Sequence, residues 1–369
     1  MTKRYRVAVI GSTGRGNYGH GLDTMWLNVP QAELVAVADD DRRGLAEAAQ
    51  RLKVERAFTD YVRMLGEVRP DVVSIAPRWI DRHAEMVLAA AEHGAHIYME
   101  KPLCRTLAEA DEMVAACERS HVKLAIAHQT RYSPKLPLVR DLLAQGRIGR
   151  VLEYRGRGKE DRRGGGEDLW VLGTHVFDLI CYFAGHPQWC QAAVTVDNRP
   201  IVADDVIEGA EGIGPLAGDR VAAMYGCPDG SLAYFNSQRN AGGEPTRFGL
   251  TIYGSAGILK ISTGYLPAVE LLEDPLWSPG RSGTAWQNVS SAGVGVAEPL
   301  SDGGLSAGNL LAAADLFAAI EEDRLPLANI YEARAATEMI VSAFESQRVG
   351  GRVDLPLAER QNPLARLSG

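Results

Sequence analysis

Through the first third of the chain, short apolar runs alternate with segments of helical period. "YRVAVIG", "ELVAVAD", "DVVSIAP", "AHIYMEK" and "KLAIAHQ" predict strands buried on both faces, because β-branched and apolar residues follow one another with little polar alternation. Between them, Arg43 to Leu52, Asp81 to His93 and Leu107 to Ser120 predict helices. In the second of these, Met86, Val87, Ala90 and Ala91 share one face, and Gly94 follows as a C-terminal stop. Strands and helices alternating at this spacing imply a parallel sheet covered on both sides.

Beyond about residue 130 the pattern changes. "RVLEYRGRG", "QAAVTVD", "RVAAMYG", "SLAYFNS", "FGLTIYG" and "GILKIST" alternate apolar and polar positions, with turns such as Pro228-Asp229-Gly230 between some of them. Strands in series without intervening helices favour antiparallel pairing. Residues 262–306 are rich in Gly, Ser and Pro and are expected to form long loops, followed by helices around Leu310 to Ile320 and Tyr331 to Gln347. The expected fold is α/β: a dinucleotide-binding domain over residues 1–128, then an α/β domain over 129–369 with a mostly antiparallel open sheet.

Composition narrows the classes of function. The 369 residues carry a formal charge of −8, with 46% hydrophobic and 23% charged residues. That balance suits a soluble globular protein and argues against a nucleic-acid partner, which needs a basic face. Five scattered cysteines without a C-x-x-C pair give neither a disulfide framework nor a zinc site, so no metal is expected. No run approaches the roughly 18 apolar residues of a membrane span. The opening "MTKRYRVAVIGSTG" mimics a signal peptide, but the apolar run Val7 to Ile10 is too short for one. A cytoplasmic protein is expected.

The first strand runs into "GSTGRGNYG", with glycines at 11, 14 and 16. This is a degenerate form of the Rossmann fingerprint G-x-G-x-x-G, with Thr13 where the middle glycine belongs. Glycines let the backbone approach a pyrophosphate, whose charge a following helix N-terminus favours. Gly11, Ser12, Thr13, Gly14, Arg15 and Gly16 are the expected cofactor contacts. Asp39 ends the second strand, where a carboxylate accepts hydrogen bonds from ribose hydroxyls and repels a 2′-phosphate. NAD is therefore expected, with NADP kept open by Arg42 and Arg43; Asp40 or Asp41 also suits the N-cap of the next helix.

The fifth strand ends in "YMEKPL", at the sheet edge where ligands of open α/β folds bind. A partly desolvated Lys101 beside a cationic nicotinamide is suited to exchange a hydroxyl proton. With this element the chain resembles the Gfo/Idh/MocA family of dinucleotide-dependent oxidoreductases over almost its whole length. The likeness rests on the glycine turn, "IAPRWIDRHAEMVLAAAEHGAHIYMEKPL", "RYSP", "GTHVFDLICYFAG" and "YEARAATEMIVSAFESQRVGGRVDLPL". The resemblance implies that Pro77, His83 and Glu100 line the cofactor pocket and that Lys101 positions substrate and moves protons. It also implies a homodimer or homotetramer formed through the second domain's sheet.

In polyol-oxidising members the second domain carries D-x-G-x-H-x-x-D. This sequence supplies Gly173, His175 and Asp178 but has Val171 at the first position. The resemblance gives His175 and Asp178 places in the active site. Either Glu167 or Asp168 replaces the missing carboxylate from the preceding loop, or the site works without one. Arg131, Tyr132, Arg157, Lys159 and Trp170 are further candidates for substrate contact, and Trp79 for sugar stacking. The implied activity is hydride transfer between nicotinamide and a secondary hydroxyl or ketone of a sugar, polyol or glycoside. The alternatives are a glycosidase or lyase that recycles tightly bound NAD, and a non-catalytic dinucleotide-binding regulator.

Overall fold

Six parallel strands form the sheet that organises the first of two units. The computed structural model describes residues 3–367. The strands are β1 (Tyr5–Ile10), β2 (Ala32–Ala38), β3 (Ala57–Phe58), β4 (Val72–Ile75), β5 (His96–Met99) and β6 (Leu124–Ile126). They lie in the order β3-β2-β1-β4-β5-β6, the doubly wound arrangement in which the chain reverses direction across the sheet beside β1. Four helices cross over between them: α1 (Arg42–Leu52), α2 (Tyr61–Val68), α3 (His83–Glu92) and α4 (Leu107–Arg119). The helix α2 and the strand β3 were not expected from the sequence; both are too short for a period to be decisive. Caps fix the starts of α1, α2 and α4: Asp41, Asp60 and Thr106 accept backbone N–H bonds, Asp41 from Gly44 at 2.7 Å.

The first unit is discontinuous. Besides the chain up to Gln129, it contains residues 210–214 and 305–334. The later stretch brings in a helix, Leu305–Glu321, whose buried residues include Asn309, Leu316 and Phe317. Phe317 stacks on Tyr5 of β1 with ring centroids 4.2 Å apart, and Trp26 meets both Phe317 and Tyr98. The first unit's main segment thus ends at Gln129, and 305–334 rejoins it after the chain has passed through the second unit. Local patterning carries no sign of this return, because each helix shows only an apolar face and not its partner.

The second unit is built on an eleven-stranded sheet. Its main strands are β7 (Val151–Arg157), β8 (Trp189–Val196), β9 (Arg220–Gly226), β10 (Leu232–Gln238), β11 (Gly249–Gly254), β12 (Gly257–Ser262), β13 (Val269–Leu272) and β14 (Gln287–Ser290). Their order is β14-β13-β12-β11-β7-β10-β9-β8. All these neighbours are antiparallel except β10 and β7, which run parallel. The strands β13 and β14 fall inside the stretch expected to be loop: four-residue strands among glycines and serines leave little periodic signal. The helix α5 (Lys135–Ala144) and the helix α6 (Thr174–Ala184) belong to this unit. On α6, Val176, Phe177, Leu179 and Ile180 are buried, and Phe177 packs 4.7 Å from Phe235 and 5.8 Å from Tyr225. No helix among the described residues is long and apolar enough to cross a membrane.

Candidate active site

The glycine turn leaves β1 and is closed by its own hydrogen bonds. Ser12 and Asn17 exchange backbone bonds at 3.0 and 2.9 Å, and the Gly14 N–H donates to the Asn17 side chain at 2.9 Å. Gly16 has φ of +86°, and a Cβ there would lie 2.4 Å from the Arg78 nitrogen, so only glycine fits. Gly14, at φ +82°, has nothing within 4 Å of the place its Cβ would take. The backbone is open to approach there. The next residue in the turn is Arg15, paired with Asp81 and lying 4.6 Å over the Trp79 ring. Trp79 is thus engaged by Arg15 in this unit.

Asp39 is 2% exposed and has a task beyond the expected one. Its Oδ1 accepts the N–H groups of Thr13 and Asp41 at 3.1 and 3.0 Å. Its Oδ2 accepts the Thr13 N–H at 3.2 Å and the Thr13 hydroxyl at 2.7 Å. Thr13, the residue that breaks the glycine fingerprint, is therefore held by the acid at the end of β2. Beside it opens a cavity of about 140 Å³ lined by Asp39, Asp40, Thr59, Tyr61, Arg82 and Met86, among others.

Glu100 and Lys101 sit at the end of β5, and both are buried. Glu100 Oε1 accepts the His20 backbone N–H at 2.9 Å and lies 2.6 Å from His20 Nδ1; its Oε2 accepts the Lys101 N–H at 3.0 Å. Burial alone would raise the Glu100 carboxyl, but the His20 hydrogen bond and the Lys101 charge outweigh it and hold the group below its ordinary value. An ionised carboxylate therefore lies buried beside Lys101. His83 spans two loops, its ring nitrogens 2.8 Å from the Pro77 carbonyl and 2.9 Å from that of Pro102. Pro77, His83, Glu100 and Lys101 are thus brought together in the first unit.

Two residues of this cluster were missed from the sequence. Asn309, fully buried, accepts from Tyr98 and Gln129 at 2.8 and 3.0 Å and donates to the His20 carbonyl at 3.2 Å. His20 lies in the loop after the glycines, where its position alone was the available signal.

In the second unit, Arg131 and Asp178 form a buried ion pair. The Arg131 Nε donates to both Asp178 oxygens at 2.9 and 3.0 Å, and its Nη2 donates to the Asp178 carbonyl at 3.2 Å. The guanidinium also lies 5.1 Å over the Tyr182 ring. Tyr132 is buried and His175 is half-buried at the start of α6. Ahead of α6 the backbone widens into a π-helical turn, Leu169–Gly173, a form enriched at functional sites. That turn contains Val171, 5% exposed, and Trp170, 1% exposed. Trp170 is a core residue here, and such burial leaves its indole no open face for a sugar ring.

Glu167 is half-buried and Asp168 fully buried. Asp168 Oδ2 accepts the Ser237 hydroxyl at 2.5 Å and the Glu160 N–H at 3.1 Å, while its Oδ1 has no hydrogen-bond partner. Burial pushes the Asp168 carboxyl above its ordinary value, against the lowering by Ser237 and the backbone amides of Glu160 and Lys159. Arg157 donates to Glu160, Nη2 to Oε1 at 2.7 Å, and Lys159 lies 3.8 Å from Asp161. Asp168 therefore supports the 158–168 loop. Its folded-state value lies above the unfolded one, so this contribution to stability is complete in acid and is lost as pH rises through the folded value. Asp168→Asn is expected to remove that loss. Relative to the natural protein, the variant's melting temperature should gain as pH rises above the ordinary carboxylate range and level off once the folded value is passed; a difference that does not change with pH refutes the assignment.

Residues 5–128 match the oxidoreductase family with an NAD-binding Rossmann fold, Gfo/Idh/MocA, and residues 137–260 match that family's C-terminal domain. This chain belongs to the Gfo/Idh/MocA family. Its first unit is the family's NAD-binding domain. The chain is 29% identical over 254 residues to the levoglucosan dehydrogenase of Pseudarthrobacter phenanthrenivorans, covering 62% of this chain and 64% of that protein. It is 32% identical over 214 residues to the D-apiose dehydrogenase of Paraburkholderia graminis, covering 55% and 56%. The matched stretches thus span less than two thirds of either curated relative. A solved levoglucosan dehydrogenase in complex with NADH and levoglucosan shares the fold, with a TM-score of 0.77 and 23% identity over 96% of this chain and 100% of that one. Among the described residues of this Gfo/Idh/MocA member, no group of three or more His, Cys, Asp or Glu side chains is placed to hold a metal.

Proposed function

We propose that this protein is an NAD-dependent dehydrogenase that transfers hydride between nicotinamide and a secondary hydroxyl or ketone of a sugar, polyol or glycoside. The observation that carries the reading is Lys101, buried beside the ionised Glu100 at the carboxyl edge of the sheet. The names of the levoglucosan and D-apiose dehydrogenases supply the substrate class. Gly14, with Arg15 next in the turn, is suited to the cofactor's pyrophosphate. When bound, the nicotinamide supplies the hydride acceptor or donor.

The chain's own residues do the rest. Lys101 is the proton-exchanging group for the substrate hydroxyl and adjoins Glu100, which His20 and the Lys101 N–H hold in place. His83 ties the Pro77 and Pro102 carbonyls and so fixes the loop that carries Lys101. His175 is the second proton-transfer candidate. Asp178 orients Arg131, and the pair, with Tyr132, Arg157 and Lys159, is offered for substrate contact. Glu167 remains the loop carboxylate offered in place of the acid absent at Val171.

We also place the protein in the cytoplasm, in keeping with five buried thiols, and read it as a homo-oligomer. The apolar groove on β8, β9 and β10, lined by Ala193, Ala222, Met224 and Tyr234 among others, is the face for that contact.

Incubation with NAD and a panel of sugars, polyols and glycosides, followed by absorbance of the reduced cofactor, tests the activity. Net NADH formation with at least one member is expected. Cleavage of a glycoside without NADH accumulation overturns the dehydrogenase reading in favour of a redox-neutral cycle. Cofactor binding with no turnover across the panel overturns it in favour of a regulator.

A further inference from the structure

The strands β8 and β9 are antiparallel neighbours, with Thr195 opposite Arg220, so a short turn would suffice to join them. Residues 197–219 intervene instead. They turn first at Asp197 and Asn198, both at positive φ, and pair Arg199 and Pro200 back onto β8. They then run out as a two-stranded hairpin, Ile207–Gly209 against Gly214–Leu216. Its tip, residues 210–214, belongs to the first unit, while the residues on either side belong to the second.

The tip meets the segment 78–81 in two ways. Glu211 lies 3.6 Å from Arg78, and a Cβ on Gly212 would lie 2.8 Å from Asp81 Oδ1. Both tip residues are left-handed, at φ +55° and +71°, so a side chain at 212 meets backbone strain as well as the Asp81 carboxylate. The ion pair is 40% and 25% exposed and adds little, so the close approach of Gly212 carries the contact. Ile213 is 1% exposed, and the tip is therefore packed and not free in solvent. The limbs are fixed too. Arg199 donates to both Asp205 oxygens at 2.6 and 2.8 Å, the Gly166 N–H to the Gly218 carbonyl at 3.1 Å, and Asn362 Nδ2 to the Pro215 carbonyl at 3.0 Å.

The segment 78–81 is also pressed against the glycine turn, since a Cβ on Gly16 would lie 2.4 Å from the Arg78 nitrogen and 2.8 Å from the Trp79 nitrogen. It holds Arg15 as well, whose Nη2 pairs with Asp81 and whose guanidinium lies over the Trp79 ring. An unrestrained arginine samples many rotamers, and holding it in one removes that cost from ligand binding. A guanidinium has five N–H donors, and the Arg15 side chain is 44% exposed, so donors remain for a phosphate after Asp81 is served. We propose that the hairpin tip, through Gly212 and Asp81, positions Arg15 for the phosphates of the dinucleotide. Glu211 and Gly212 are thus positioning residues: they brace the segment that holds Arg15 and need not touch the cofactor.

The inference rests on the reading of the glycine turn as the pyrophosphate site, and the experiment separates the two. Dissociation constants for NADH are measured by nicotinamide fluorescence, without substrate, for the natural protein, Gly212→Val, Gly212→Ala, Gly214→Ala, Arg15→Ala and Arg15→Ala/Gly212→Val. Amide hydrogen exchange over residues 78–82 is followed in the same proteins without cofactor. Gly212→Val should weaken NADH about tenfold and speed exchange over 78–82, with Gly212→Ala in between should the valine variant fail to fold. Gly214→Ala is the control: Gly214 is also left-handed, at φ +83°, but nothing lies within 4 Å of the place its Cβ would take. It should stay within about twofold of the natural protein in both readouts. In the Arg15→Ala background Gly212→Val should add less than about twofold, because the side chain it positions is already gone. NADH affinity unchanged in both Gly212 variants, an equal loss in Gly214→Ala, or full additivity with Arg15→Ala overturns the proposal and leaves the NAD site standing. Failure of the natural protein to bind NADH overturns the site and the proposal with it.

Discussion

Lys101→Met is expected to lower kcat by about 10²–10⁴ on any substrate the protein oxidises, the range that a positioned general acid or base contributes. Methionine keeps the length and apolar stem of lysine, and the Lys101 backbone N–H bond to Glu100 Oε2 at 3.0 Å does not depend on the side chain. The loop should therefore hold its shape, and NADH affinity should stay within about threefold. Glu100 provides a second readout. Its carboxyl is held low by the His20 hydrogen bond and the Lys101 charge, so removing that charge moves it back upward and weakens the cluster in mild acid. The pH profile of residual turnover is expected to lose the limb due to Lys101. Turnover within about threefold of the natural protein would remove Lys101 from the chemistry.

Asp178→Ala carries the largest expected loss of stability, about 3–5 kcal/mol, because it leaves Arg131 as a buried charge without its carboxylate. The Arg131 and Asp178 side chains are 6% and 1% exposed, so water screens the pair little. Urea unfolding measures the change. Asp178→Asn should cost less, since an amide oxygen still accepts from Nε. A loss below about 1 kcal/mol for the alanine variant would show that the pair contributes little net stability. The prediction concerns the fold of the second unit and stands apart from any part Asp178 takes in substrate binding.

Much of this molecule was legible in its sequence. The strands β1, β2, β4, β5 and β6 show as unbroken apolar runs because a parallel sheet covered on both faces demands them. The six strands expected after residue 130 are present because one-residue alternation survives wherever one face of a strand is more exposed than the other. The glycine turn and the Glu100–Lys101 element were visible as motifs. What remained hidden depends on partners far apart in the chain. Nothing near Asp39 indicates that Thr13 will take its carboxylate, and nothing near His20 indicates Glu100. The π-helical turn at Leu169–Gly173 escaped for another reason. Its extra residue changes which side chains align with His175, so counting four positions back to Val171 assumes an α-helical spacing that this segment lacks.

The return of residues 305–334 to the first unit has a consequence for how the protein is made. Tyr5, in the first strand of the nucleotide-binding sheet to be synthesised, stacks on Phe317, and Tyr98 and Gln129 donate to Asn309. The nucleotide-binding half therefore cannot complete its core during synthesis until more than three hundred residues have been translated. Until then the apolar surface around Tyr5 and Trp26 lacks Phe317 and is open to association with other chains, and folding of the N-terminal half waits for the C-terminal region.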